Sequence, residues 1–126
     1  MIEIPVSTAE LVDKLTILEL KAAHLSGPAL GHVHTELILL RQRLAPHQAA
    51  IPSPLAQQLA AVNQQLWTVE DRLREHECHQ CFDQTFIDLA RSVYQLNDQR
   101  AALKRQINIA SGSELIEEKA YSQPSP

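Results

Sequence analysis

Apolar side chains recur in the first half of this chain at alternating steps of three and four residues, which places them on one face of an α-helix. One run covers residues 11–25 and a second covers residues 30–44. Ser7 and Glu10 precede the first run as a capping box, in which the hydroxyl accepts an early backbone N–H and the carboxylate reaches back to the cap. Because the sequence Ser-Gly-Pro at residues 26–28 separates the runs, we predict two antiparallel helices joined by a short turn.

The second half of the chain repeats this design after a break. Three prolines fall within residues 45–54, a segment that we interpret as a linker between two hairpins. Apolar stripes follow over residues 55–73 and 86–107. The fourth helix is predicted over residues 84–108, about 37 Å long, and is expected to end at Gly112. These patterns predict an all-α fold of four long amphipathic helices, arranged as two antiparallel hairpins in a helical bundle.

The two ends of the chain depart from the helical pattern. Ile2, Ile4 and Val6 alternate with less apolar residues, which is typical of a short extended segment with one buried face. That segment either lies across the helices or pairs with the same segment of a second copy. We assign residues 1–112 to a single helical-bundle domain and residues 113–126 to a short turn and a disordered tail.

The first two helices carry additional apolar residues outside their main stripes, so more than one neighbour must cover them. These residues are Val12, Ile17, Leu20, Ile38 and Leu39. The second neighbour is either the other hairpin or another copy of the chain. We therefore predict a homo-oligomer, in its simplest form a dimer.

Composition and charge narrow the classes of function. Hydrophobic residues make up 44% of the 126 residues and charged residues 21%, which is typical of a globular domain. A formal net charge of −4 argues against a nucleic-acid partner.

The first residues lack the cationic and apolar regions of a signal peptide, and no apolar run is long enough to cross a membrane. We expect a cytoplasmic protein without membrane insertion.

The sequence HECHQC at residues 76–81 contains the imidazole and thiol groups that bind zinc. Structural zinc sites separate their ligand pairs by roughly a dozen residues or more, whereas these candidates lie close together. A thioredoxin-type redox pair would require a βαβ context that the sequence lacks. We therefore predict a helix-end loop, no metal site and no cofactor. A redox-sensitive disulfide between Cys78 and Cys81 is the alternative.

Arg100 is the one polar residue in the apolar stripe of the fourth helix. A buried guanidinium requires a carboxylate partner unless it reaches the surface. Asn97 and Lys104 lie one helical turn away on the same side. The first helix offers Asp13 and Lys14, and the third helix offers Glu70 and Asp71. Such a set forms either a structural salt-bridge network that fixes helix register or a polar pocket for an anionic ligand. We favour the network.

Several separated segments also carry a resemblance to known sequences. They are PVSTAELVDKLTILELK, LWTVEDRLRE, and FIDLARSVYQLNDQRAALKRQIN followed by EEKAY. Together they resemble a small bacterial family described only as a domain of unknown function. The resemblance implies a stand-alone protein, some of whose relatives are encoded near genes for lipopolysaccharide or other cell-surface polysaccharides, and it implies no catalytic role. It singles out the following candidate ligand-binding residues: Asp13, Lys14, Lys21, Glu70, Asp71, Arg91, Asn97, Asp98, Arg100 and Lys104.

Two functions follow as hypotheses. In the first, the protein is an oligomeric interaction or adaptor protein whose polar interface residues set register and partner choice. In the second, it is a small enzyme or ligand-binding protein for an anionic metabolite, linked to cell-surface polysaccharide synthesis, with Asp13 or Glu70 as acid or base. The cations that would hold this metabolite are Lys14, Arg91, Arg100 and Lys104. The second hypothesis requires an open pocket, whereas the first requires each cation to meet a carboxylate.

Overall fold

The computed structural model describes residues 1–121 and consists of four α-helices joined by short connections. The elements are α1 (Thr8–His24), α2 (Gly27–Leu44), a 3₁₀ helix (Ala45–Ala50), α3 (Ser53–Cys78) and α4 (Gln84–Ser111). Residues 1–121 contain no strand, so the predicted all-α class is confirmed. The predicted disorder of residues 122–126 concerns a segment outside the described residues. Within the described chain, no helix combines the length and apolar character needed to cross a membrane.

The N-terminal end of α1 uses half of the predicted capping box. Ser7 accepts a hydrogen bond at its Oγ from the Glu10 N–H at 3.1 Å, as a cap should. The Glu10 carboxylate does not return to the cap but instead accepts from Lys104 Nζ at 2.6 Å. This part of the prediction is therefore corrected, because an ammonium on α4 competes successfully for the same carboxylate.

The ends of α4 are also set by local chemistry. Asp83 precedes the helix, and its Oδ1 accepts the Phe86 N–H at 3.0 Å. This backbone hydrogen bond lowers the pKa of the Asp83 carboxyl below its usual value. Gly112 ends the helix in the left-handed conformation at φ 69°, as the sequence predicts.

The proline-rich connection is more regular than the linker that we expected. Ala45–Ala50 forms the 3₁₀ helix, and Ile51 is buried in the core. Ser53 begins α3, with Pro54 in the first turn, where the missing proline N–H costs no helical hydrogen bond. The connection between the hairpins therefore contributes to packing.

The core is organised around α1, which packs against each of the other three α-helices, while α3 and α4 pack along each other as a second hairpin. Leu15, Leu37, Leu59 and Ile107 represent the four helices within one buried cluster. These contacts are consistent with the predicted helical bundle.

The apolar residues outside the main stripes differ in how far they are buried. Ile17 and Leu20 line a cleft that they share with Trp67 of α3, so the second hairpin is their neighbour. Ile38 on α2 is 59% exposed. The additional residues of α1 are therefore half-buried beside α3, whereas part of α2 faces outward.

Residues 1–6 form neither helix nor strand, and the N-terminal segment has no buried face in the single chain. Ile2 and Ile4 are 90% and 71% exposed. Glu3 forms an ion pair with Arg43 near the end of α2, which holds the segment beside that helix. The expectation that this segment buries an apolar face across the helices is therefore wrong for one copy of the chain.

The HECHQC segment forms the last residues of α3 and the turn that follows it. This confirms the predicted helix-end loop. Cys78 and Cys81 are both free and exposed.

Candidate functional site

Asp13 and Arg100 form the centre of a polar cluster between α1 and α4. Arg100 donates from Nε to Asp13 Oδ1 at 2.9 Å and from Nη2 to Oδ2 at 2.5 Å. This bidentate arrangement uses the planar fork of the guanidinium and fixes both side chains. Asp13 is 1% exposed, whereas 29% of the Arg100 side chain reaches the surface. The buried carboxylate is thus held by a partly accessible cation.

The third helix of the cluster is α3, which contributes Asn63. Its Nδ2 donates to Asp13 Oδ1 at 2.8 Å and to Thr16 Oγ1 at 2.7 Å. Thr16 Oγ1 in turn donates to the backbone carbonyl of Asp13 at 2.7 Å. One carboxylate therefore connects α1, α3 and α4, and its partners satisfy it on both oxygens.

The surroundings keep the Asp13–Arg100 pair ionised. Burial by itself raises the pKa of Asp13, but hydrogen bonds from Arg100 and Asn63 and the charges of Arg100 and Lys104 lower it below its usual value. The hydrogen bond to Asp13 raises the pKa of Arg100 despite burial. A carboxyl held in this state is a poor general base, because it has little tendency to take up a proton near neutral pH.

Lys104 extends the cluster toward the C-terminal end of α4. Its Nζ lies 2.6 Å from Glu10 Oε2, 3.5 Å from Glu117 Oε2 and 3.9 Å from Asp13 Oδ2. Only 11% of the Lys104 side chain is exposed. This nearly buried ammonium is therefore compensated by three carboxylates.

The same end of α4 also caps α1. Asn108 accepts the Ala9 N–H at its Oδ1 at 2.8 Å, and Ser113 accepts the Thr8 N–H at its Oγ at 3.2 Å. These N–H groups have no partner within an α-helix. Their capture by Asn108 of α4 and by Ser113, which follows α4, fixes the position of α1 along that helix and places Asp13 opposite Arg100.

Residues 117–119, which we call the C-terminal strap, fold back along α4. Glu117, Glu118 and Lys119 form ion pairs with Lys104, Arg105 and Asp98, respectively. The strap and α4 border an open groove of about 1070 Å³, with Asn97 and Arg100 also in its lining. The groove therefore lies directly beside the cluster, and strap carboxylates already contact its cations.

The structure brings together half of the candidate residues from the sequence. Asp13 meets Arg100 directly, and four of the candidates line the groove. Those four are Asn97, Asp98, Arg100 and Lys104.

Three of the other candidates lie away from the cluster. Lys14 is exposed and lies 3.9 Å from Glu36 of α2, and Lys21 is exposed in the last turn of α1. Arg91 is exposed on α4, where a hydrogen bond with the Tyr94 side chain raises its pKa.

Glu70 and Asp71 line a smaller cleft between α1, α3 and α4, about 380 Å³ in volume. Glu70 also lies 3.9 Å from Arg74. Arg100 lines this cleft as well as the groove, so it stands between the two spaces.

Sequence reasoning missed Asn63, Glu10 and Glu117 as members of the cluster. A signal existed for Asn63, which lies four residues after Leu59 and three before Leu66 on the buried face of α3. Glu10 was assigned only to the cap. Glu117 lies in the EEKAY segment, but no spacing argument links it to a residue of α4.

The fold and the cluster define the class to which this chain belongs: an all-α helical bundle whose helices are joined by a partly buried ion cluster centred on Asp13 and Arg100. A family model described as "Family of unknown function (DUF6165)" matches residues 2–126. The chain therefore belongs to the DUF6165 family. Comparisons with curated proteins and with solved structures gave no match.

Proposed function

We propose that this protein is an interaction protein that associates with a second copy of itself through its N-terminal segment. The observation that carries this proposal is the exposure of Ile2 and Ile4, 90% and 71%, on an extended segment that an ion pair holds against α2. Large apolar side chains in such a position are stabilised by a partner that covers them. The proposal places the protein in the cytoplasm, where exposed free thiols remain reduced.

The chemistry of the polar cluster supports a structural role for it. Its two cations, Arg100 and Lys104, face three carboxylates, those of Glu10, Asp13 and Glu117. The cluster therefore has an excess of negative charge and offers no uncompensated cation to an anionic substrate. Its directional bonds instead fix how α1, α3 and α4 are aligned, which positions the N-terminal segment.

A second N-terminal segment is the partner that fits best. The alternation of apolar and polar residues allows two segments to pair as short antiparallel strands, with Ile2, Ile4 and Val6 of each copy on a shared face. Pro5 lacks an N–H, which limits the length of such a ladder. Burying one isoleucine side chain contributes about 1.5–3 kcal/mol. Four isoleucines across a two-fold axis therefore supply a substantial part of a dimer's stability.

The test is the mass of the protein in solution, measured by light scattering during size exclusion across a range of concentrations. We expect twice the 14.1 kDa chain mass for the wild type and a single chain mass for a variant with Ile2→Asp and Ile4→Asp. Ile87→Asp is the matched control, because Ile87 is 45% exposed at the start of α4, at the other end of the bundle. A monomeric wild type, or a double variant that stays dimeric, contradicts the proposal.

A second candidate function is binding of an anionic metabolite in the groove, and one observation favours it. Glu117 and Glu118 already place carboxylates on Lys104 and Arg105, as the anionic groups of a ligand would. A ligand would have to displace the strap. Nucleotide sugars are the appropriate probes, given the polysaccharide genes that the sequence resemblance implies.

Thermal-shift measurements distinguish this candidate from the first. Binding in the groove predicts a rise in melting temperature with a nucleotide sugar that Arg105→Gln reduces and Arg74→Gln does not. Both arginines are exposed, but only Arg105 lines the groove. A rise that is equal in all three proteins, or no rise with any probe, contradicts binding at this site.

A further inference from the structure

The turn between α3 and α4 folds back on the end of α3. Gln80 adopts the left-handed conformation at φ 53°, which reverses the chain. The Cys81 N–H then donates to the His76 carbonyl at 2.9 Å, and His76 Nδ1 lies 3.0 Å from the Cys81 carbonyl oxygen. This turn therefore brings Cys81 beside an imidazole that precedes it by five residues.

The next residue that the turn positions is Asp83. Its Oδ1 lies 3.6 Å from His76 Nδ1. Potential ligand atoms of His76, Cys81 and Asp83 all lie within 4.8 Å of one another. An imidazole nitrogen, a thiol sulfur and a carboxylate oxygen thus converge from the end of one helix, the turn and the start of the next helix.

We propose that His76, Cys81 and Asp83 form a binding site for a zinc ion at the α3–α4 turn. Nitrogen, sulfur and oxygen ligands in combination suit Zn²⁺, whereas Mg²⁺ and Ca²⁺ prefer oxygen ligands alone. Three protein ligands leave one position of a tetrahedral ion for water. The thiol binds as thiolate, so binding releases its proton to the solvent.

The side chains need only a small adjustment to reach an ion. Metal–ligand distances of about 2.0–2.3 Å in a tetrahedral site separate the ligand atoms by about 3.3–3.8 Å. Because the ligand atoms already lie within 4.8 Å of one another, they approach by roughly 1 Å. Side-chain rotation at this exposed turn provides such a movement without a change in either helix.

This proposal revises the expectation of no metal site. That expectation compared only residues 76–81 and required widely separated ligand pairs. Asp83 was not considered as a ligand because it belongs to the cap of the following helix, where its Oδ1 accepts the Phe86 N–H. This hydrogen bond from the helix N-terminus orients the carboxylate, whose Oδ1 lies 3.6 Å from His76 Nδ1, toward the proposed ion.

The test uses Co²⁺ as a spectroscopic substitute for Zn²⁺, added to the full chain in a reducing buffer after removal of metals with a chelator. We expect one equivalent of Co²⁺ to produce a thiolate-to-cobalt charge-transfer band, which one equivalent of Zn²⁺ then abolishes. Calorimetric titration with Zn²⁺ should give the same stoichiometry and should release protons. Circular dichroism verifies that each variant described below is folded.

Variants locate the site. Cys81→Ser should remove the band, and His76→Ala and Asp83→Asn should each weaken Zn²⁺ binding by at least about tenfold, the lower limit for loss of even an outer-shell partner. Cys78→Ser is the matched control, because Cys78 is also free and exposed but lies outside the converging set. Absence of the band in the wild type, or its loss in Cys78→Ser with retention in Cys81→Ser, overturns the proposal.

Discussion

Replacing Asp13 with asparagine tests whether the buried cluster determines the stability of the bundle. The substitution preserves the shape of the side chain but removes the charge that Arg100 contacts through two hydrogen bonds. It also replaces one carboxylate oxygen with an NH2 group, whose hydrogens repel the Arg100 donors. Lys104 loses a more distant partner at 3.9 Å but keeps Glu10. The main consequence is therefore a guanidinium without its counter-charge.

The structure sets the size of the effect. Removing one partner of a fully buried ion pair costs about 3–5 kcal/mol. Arg100 retains 29% exposure of its side chain, and water can therefore replace part of the lost interaction. We expect Asp13→Asn to lower the free energy of unfolding by about 2–4 kcal/mol at pH 7. Asp71→Asn, an exposed substitution of the same type on α3, should change it by less than about 0.5 kcal/mol.

The effect should depend on pH with a defined sign. The pKa of Asp13 is lower in the folded state than in the unfolded chain, so ionisation of Asp13 stabilises the fold above the unfolded pKa. This contribution is lost as the pH falls through the folded pKa. The difference between wild type and Asp13→Asn should therefore be full at pH 7 and should narrow below about pH 4, the ordinary range of an aspartate.

Urea denaturation followed by far-ultraviolet circular dichroism, at pH 7 and at several values below pH 4, measures these differences. A loss at pH 7 smaller than about 1 kcal/mol would refute the conclusion that Asp13 anchors the cluster. A loss that stays constant as the pH falls would show that the charge of Asp13 is not what stabilises the fold. Either result would mean that the apolar packing of α1, and not the charge of Asp13, stabilises the bundle.

Further predictions concern the helix ends and one glycine within a helix. Asn108→Ala leaves the buried Ala9 N–H without its acceptor and should lower the free energy of unfolding in urea by about 1–3 kcal/mol, whereas Asn97→Ala in the open groove should have a much smaller effect. Gly112→Ala should cost about 1–2 kcal/mol because a Cβ is disfavoured at φ 69°, although space for it is available. Gly31→Ala, within α2 and equally unobstructed, should stabilise the protein by about 0.5–1 kcal/mol. Equal signs for the two glycine substitutions in a thermal melt would contradict the conformational argument.

The sequence predicts the helices well because the relevant signals are local. Ser7 and Gly112 set the beginning of α1 and the end of α4 through bonds and backbone angles within a few residues. The steps of three and four residues identify the buried faces, and they also isolate Arg100 as a cation that requires a partner. Asp13 was among the partners that the sequence offered, although nothing local selected it over the others.

The remainder of the site depends on relationships that a linear pattern does not contain. Asn63 and Asp13 are 50 residues apart, and Lys104 and Glu10 are 94 apart. Their contacts require the relative positions of whole helices, which the tertiary packing determines. The prediction for the N-terminal segment is wrong for a different reason. Its alternation identifies apolar side chains that favour burial, but it does not specify which surface buries them.

The capture of the Ala9 N–H by Asn108, 99 residues later, has a consequence for biosynthesis. During translation, the first helix leaves the ribosome long before the residues that complete its amino end. A nascent chain that stops short of Asn108 therefore has α1 with an incomplete cap, and one that stops before Arg100 also leaves Asp13 without its counter-ion. The native bundle is completed only when the last quarter of the polypeptide emerges, so shortened translation products should be early substrates for proteolysis.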